Sequence, residues 1–262
     1  MFSEEIYKEW EWSERYPGPK EIRSYLNFVA EKLNLRRNIL FNTLVTKARF
    51  IESNNKWELT TQGGDIYHTT YLITGIGCIS SANIPNIPGL EDFTGTWYHT
   101  GNWPHEDVSF KNKRVGQIGT GSTGIQAAPE IAKTADHLHV FQRTPNYSVP
   151  ARNAPLSETF KKQVHDSYEE IKKTVRSTPN GHPFRISETN VFENNENERN
   201  KVYEEAWEKG GLQFRATYQE LTTNKKANDT AANCIKDKIK TIVHDKTTAQ
   251  ALANIDYTNA GK

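Results

Sequence analysis

The sequence predicts an α/β protein with a Rossmann-like dinucleotide-binding unit and a helical insertion. Three observations carry this. The stretch Arg114–Gln126, RVGQIGTGSTGIQ, runs from apolar residues through a glycine turn into a helix-like pattern. A second strand, His137–Phe141 (HLHVF), completes a βαβ unit of about thirty residues. After Pro155 the texture changes to charged, amphipathic segments joined by Asn- and Thr-rich loops.

Taken in order, Pro19–Leu33 reads as an amphipathic helix, with Ile22, Leu26, Phe28, Val29 and Leu33 at helical spacing. Ile39–Phe41, Leu44–Phe50 and Lys56–Thr61 read as strands, and Gly63-Gly64 turns the last toward its successor. Tyr71–Thr74 (YLIT) is a short apolar strand that ends at Gly75-Ile76-Gly77. The Pro- and Ser-rich SSANIPNIPGLEDF reads as a crossing linker. Lys113–Ile118 is then a strand, Gly119–Gly124 a turn, Ile125–Thr134 a helix and His137–Phe141 a strand. Helices are expected over Leu156–Thr178, Asn197–Leu212 and Ala231–Val243, as a helical cover or lid. No internal repeat is visible.

Composition narrows the function. The chain has 262 residues and a formal net charge of +1, so no basic field points to nucleic acid or a membrane surface. Hydrophobic residues make up only 35%, low for buried parallel strands, and the polar excess lies beyond Leu156. Cys78 and Cys234 lack metal-ligand spacing and suit a reducing compartment. No metal is expected. The N-terminus has no signal-peptide pattern and no apolar run reaches membrane length, so the expected location is cytoplasmic.

The chemistry centres on Gly119, Thr120, Gly121, Ser122, Thr123 and Gly124. In G-x-G-x-x-G the first glycine permits the sharp turn and the second lets the backbone approach a pyrophosphate. The third lets helix and strand pack closely. The phosphates then meet free N–H groups and the positive end of the helix, with Ser122 and Thr123 as added donors. An NAD site usually places an acid after the second strand, to hold the ribose 2′-hydroxyl. Here the strand runs into Gln142-Arg143-Thr144 with no acid. A guanidinium and a hydroxyl suit a 2′-phosphate, so NADPH is the expected cofactor. Gln117 is anomalous: it stands in the strand just before the turn, where its amide needs partners if buried. It can face a cofactor or a domain seam, or simply be tolerated.

Upstream lies FTGTWYHTGNWP, Phe93–Pro104, whose aromatics and glycines are unusual for a plain linker. Phe93, Gly95, His99, Trp103 and Pro104 fit F-x-G-x-x-x-H-x-x-x-W-P. With GTGSTGIQ and VFQRTPNYSVPARNAPL, this resembles the type I Baeyer–Villiger monooxygenases of the phenylacetone and cyclohexanone group. The likeness is strongest from Glu9 to Leu156 and returns at Asp256–Lys262.

The resemblance implies a flavoprotein with two Rossmann-like domains, one for FAD and one for NADPH, the second carrying a helical insertion. It implies NADPH- and dioxygen-dependent conversion of a ketone to an ester or lactone. On it, Gly119–Gly124 cradle the pyrophosphate, while Arg143, Thr144 and Lys262 hold the 2′-phosphate. His99 is the catalytic candidate, in a linker that couples cofactor position to catalysis, and Gly77 ends a flavin-contacting element. Gly75 and Ile76 depart from that element's A-T/S-G pattern, and Ala260 stands where a glycine is expected before Lys262.

Residues 1–84 are then part of the FAD domain, 85–155 the linker and NADPH unit, 156–252 the helical insertion, and 253–262 a return to the NADPH domain. The family's FAD-gripping G-x-G-x-x-G and an arginine that follows the lysine are not in this sequence. The expectation is an internal fragment, inactive alone. Two alternatives stand beside it: an N- or S-oxygenating flavin monooxygenase, against which Trp103-Pro104 argues, and a non-catalytic NADP-binding remnant.

Overall fold

The computed structural model describes residues 4–77, 79–143 and 146–253. By contact the chain divides into two units, Arg23–Val108 and a second one built from the residues up to Ile22 together with those from Ser109 onward.

Helix α1 spans Glu4–Lys8 and α2 spans Pro19–Lys32. Asn34, left-handed at φ 48°, follows the end of α2, a conformation asparagine tolerates after a helix. The helix stands as expected, but its apolar face is only partly covered. Tyr25 and Val29, one turn apart, are buried, while Ile22, Leu26 and Leu33 are exposed.

In the Arg23–Val108 unit, β1 (Val45–Ile51), β2 (Lys56–Thr61) and β3 (Ile66–Thr69) form an antiparallel sheet in the order β1-β2-β3. Asn55 (φ 51°) turns β1 into β2 and Gly64 (φ 89°) turns β2 into β3. Phe50 and Trp57 are directly opposite, their ring centroids 5.4 Å apart, a cross-strand pair of the kind that pins register. Two expectations fail here. Ile39–Phe41 is not a strand; it leads into a turn at Asn42 (φ 53°). Tyr71–Thr74 has no ladder, because Gly63-Gly64 brings the chain back immediately and Ile66–Thr69 takes the place beside β2.

In the other unit, β4 (Arg114–Ile118) and β5 (His137–Phe141) pair in parallel, with Arg114 opposite His137 and Ile118 opposite Phe141. Helix α3 (Ser122–Ala132) connects them, starting three residues earlier than expected because the last part of the glycine turn is already helical. It contains Pro129, whose missing N–H removes one bond of the helical ladder. Ile118, Val140 and Phe141 are exposed.

The best-covered apolar residues lie in the polar second half. Helices α4 (Glu158–Asp166) and α5 (Tyr168–Ser177) replace the single expected helix, with a break at Ser167. The Ser157 hydroxyl caps α4 by accepting from Phe160 N. Then come α6 (Glu196–Lys209), α7 (Lys225–Ile242) and α8 (Lys246–Ala253). Tyr203, Ala206 and Trp207 of α6 pack with Ala227, Ala231 and Ile235 of α7, around Val191, Phe214 and Tyr218. Each helix contributes one narrow apolar stripe, so a charged sequence still builds a core. Helix α6 ends at Gly210 (φ 68°), and the next amide, Gly211 N–H, donates to Pro150 O at 2.8 Å. The N-terminal strip runs along the same region: Arg15 N donates to Ala154 O (3.1 Å) and Leu156 N to Ser13 O (3.0 Å).

Candidate functional site

The glycine turn sits where β4 ends and α3 begins. Gly119 takes φ 102°, which side chains rarely adopt, and its N–H donates to Phe141 O at 2.8 Å, tying the turn to the end of β5. Gly121 precedes the first helical residue, and a Cβ there would meet nothing within 4 Å. That is the open approach a pyrophosphate needs. Gly124 is the opposite case: a Cβ would collide with the Gly119 carbonyl oxygen and stand 3.0 Å from its carbon. The third glycine therefore serves the close folding of the turn on itself.

The N-terminus of α3 has no side-chain cap and no acidic residue in its first turn. Its leading N–H groups and the positive end of its dipole are thus left for an anion. Two glutamines brace the turn from opposite ends. Gln117 Nε2 donates to Gly119 O and Gly124 O, each at 3.0 Å. Gln142 Nε2 donates to Thr120 Oγ1 at 2.8 Å. That second bond leaves the Thr120 hydroxyl proton to be given elsewhere. Arg143 follows Gln142 directly and is exposed. Thr144 and Lys262 lie outside the described residues.

The aromatic motif belongs to the Arg23–Val108 unit, and its geometry explains its spacing. The ring of Phe93 lies over Gly95, where a Cβ would meet Cζ at 2.6 Å. Half-buried His99 precedes a short 3₁₀ turn, Thr100–Asn102; its Nδ1 accepts from Gly101 N at 3.1 Å, and its carbonyl accepts from Asn102 N at 2.8 Å. The bond to Gly101 N fixes the ring's orientation relative to the turn. Tyr98 and Trp103 stack obliquely with centroids 5.5 Å apart. Pro104 follows Trp103, which is extended at φ −64°, ψ 135° as a residue before proline prefers. Gly77 is left-handed at φ 71°, and the Ser80 hydroxyl beside it donates to Ile76 O.

The glycine turn, Arg143 and the aromatic motif were all visible as sequence. Gln142 carries no such signal, because a cross-turn hydrogen bond leaves no spacing pattern in the sequence. Among the described residues no group of His, Cys, Asp or Glu could hold a metal ion. No helix among them is long and apolar enough to cross a membrane.

Comparison with known proteins accords with this geometry. The model of the flavin-binding monooxygenase-like family matches residues 4–154. Cyclohexanone 1,2-monooxygenase from Acinetobacter sp is 41% identical over 253 residues, covering 96% of this chain and 46% of that protein. Phenazine N-monooxygenase PhzNO1 from Lysobacter antibioticus is 37% identical over 257 residues, covering 97% and 47%. The solved structure of oxidized steroid monooxygenase bound to NADP superposes with a TM-score of 0.92 at 41% identity, covering 99% of this chain and 50% of that one. The chain spans about half the length of the curated relatives it matches. A chain whose glycine turn and aromatic motif both lie within a family match of this extent belongs to the flavin-binding monooxygenase-like family.

Proposed function

We propose that this chain is the nicotinamide-binding and linker portion of a Baeyer–Villiger monooxygenase, which uses NADPH, FAD and dioxygen to convert a ketone to an ester or lactone. The observation that carries the reading is the glycine turn. It is open at Gly121, closed at Gly124, uncapped at the start of α3, and followed across β5 by Arg143 rather than by an acid. Those residues fit a dinucleotide with a 2′-phosphate: amides of the turn and the Thr120, Ser122 and Thr123 hydroxyls for the pyrophosphate, Arg143 with Thr144 and Lys262 for the phosphate on the ribose. NADPH supplies hydride when bound there. His99 is the catalytic candidate, and Phe93, Gly95, Trp103 and Pro104 hold its segment in shape. Gly77 is the flavin-side candidate. Residues 1–84 belong with the FAD side and 85–155 with NADPH. Residues 156–252 are the helical insertion and 253–262 the return. Burial raises the pKa of the partly buried Cys234 thiol, which keeps it protonated and unreactive; a cytoplasmic location belongs to the same proposal.

Titration of the chain with NADPH and NADH tests the cofactor reading. NADPH should bind more tightly, and Arg143→Ala should remove the difference; equal affinity in the unaltered chain would overturn it. The reaction is tested in the protein carrying this segment with its flavin, by product analysis: an ester or lactone supports the proposal. The phenazine N-monooxygenase likeness favours a second reading, N-oxygenation, for which an N-oxide would be the product.

A further inference from the structure

Gln117 stands two residues before the first glycine of the turn, on the half-buried side of β4 with Val115. A polar amide in such a strand is costly unless its groups are paired. Both of its protons are committed: Nε2 donates at 3.0 Å to Gly119 O and at 3.0 Å to Gly124 O, the first and third glycines. The orientation of the amide is unambiguous, because two carbonyls can be bridged only by the NH₂ group. The same nitrogen would lie 3.2 Å from a Cβ on Gly124, so the amide is packed into the turn. Its Oε1 is buried and has no hydrogen-bond partner among the described residues. The side chain thus keeps an unsatisfied oxygen while both protons stay on the turn.

We propose that Gln117 is a positioning residue for the nucleotide phosphates, pinning the glycine turn in its binding shape before the ligand arrives. The inference rests on reading this turn as the NADPH site. Each peptide of the turn is trans and planar, so its carbonyl and the following N–H point in opposite directions. Drawing Gly119 O toward Gln117 turns the Thr120 N–H away from it. Drawing Gly124 O inward fixes the first turn of α3, whose leading amides meet the anion. An apolar residue at 117 would fill the space but leave both carbonyls free to reorient, and the ligand would then bear the cost of ordering the turn.

The test is NADP⁺ affinity of the full chain, measured by calorimetry from pH 5 to pH 8 on the unaltered protein, Gln117→Met and Gln117→Glu. Gln117→Met keeps volume and loses both donors; its affinity should fall about tenfold. Gln117→Glu cannot donate when ionised and donates one proton when neutral. Its affinity relative to the unaltered chain should therefore recover as pH falls, a profile that lost packing alone would not produce. Met at 117 binding NADP⁺ as tightly as Gln, or no pH dependence in the Glu variant, overturns the inference. Failure of the unaltered chain to bind NADP⁺ overturns the NADPH reading instead. If the variants do not fold, hydrogen exchange of the Gln117 side-chain amide in the unaltered chain decides the clamp: slow exchange supports it and solvent-rate exchange overturns it.

Discussion

Gln142, immediately after β5, donates from Nε2 to Thr120 Oγ1 at 2.8 Å, so the last residue before Arg143 is hydrogen-bonded to the glycine turn. In the proposed dinucleotide site, this one side-chain bond joins the turn assigned to the pyrophosphate to the residue before the arginine assigned to the ribose end. Gln142→Leu should weaken NADPH and NADH by a similar factor, about three- to tenfold, because the bond orients Thr120 and not the 2′-phosphate contact. Parallel titrations with both nucleotides check this. A change in the NADPH-to-NADH ratio would move the assignment from the turn to the ribose.

Gly124→Ala should be severe. The new methyl would be driven against the Gly119 carbonyl, which is backbone and itself held by Gln117. Neither group can swing aside, so overpacking of about 1–3 kcal/mol is expected, with loss of nucleotide binding. Urea denaturation of the chain and the variant measures the first, and NADP⁺ calorimetry the second.

Gly95→Ala should behave differently although its clash is also close. There the methyl would meet the tip of the Phe93 ring, at the end of an exposed side chain that can rotate away. Stability should change by no more than about 0.5 kcal/mol. The ring itself should move, seen as loss of contacts between Phe93 ring protons and Gly95 in NMR spectra. An unchanged ring position would show that the motif's first two fixed residues are not coupled through space.

The site was more legible in the sequence than the scaffold around it, for physical reasons. Glycines at 119 and 124 announce themselves because steric demands exclude other residues there. Strand β5 was readable to its ends because Leu138, Val140 and Phe141 recur between the helix and the polar Gln142-Arg143 boundary. Tyr71–Thr74 has the same apolar character, yet apolarity does not supply a ladder partner, and the neighbouring turn had already placed Ile66–Thr69 beside β2. The α4–α5 break at Ser167 carries neither Gly nor Pro, so nothing local marked it. Gln117 was visible only as an anomaly; its meaning depends on where two carbonyls point, which composition and periodicity do not encode.

The helical region should lose stability in alkali through Tyr203. Its hydroxyl is 2.6 Å from Thr230 Oγ1, and Thr230 spends its own proton on Ala227 O at 2.7 Å, so Tyr203 is the donor. Burial is the main cause that pushes the Tyr203 phenol up from 10.0 to about 12. The folded state therefore holds this proton where the unfolded state has already released it. The associated stability is complete below about pH 10 and declines as pH rises toward about 12. Burial raises Tyr218 as well, so part of the decline belongs to it. Tyr203→Phe should cost about 1 kcal/mol at neutral pH, the worth of one hydrogen bond, and should flatten the alkaline decline. Urea melts at intervals from pH 8 to pH 12 on both proteins give both quantities. An equally steep alkaline decline in the Phe variant would assign the titration to other groups, Tyr218 first among them.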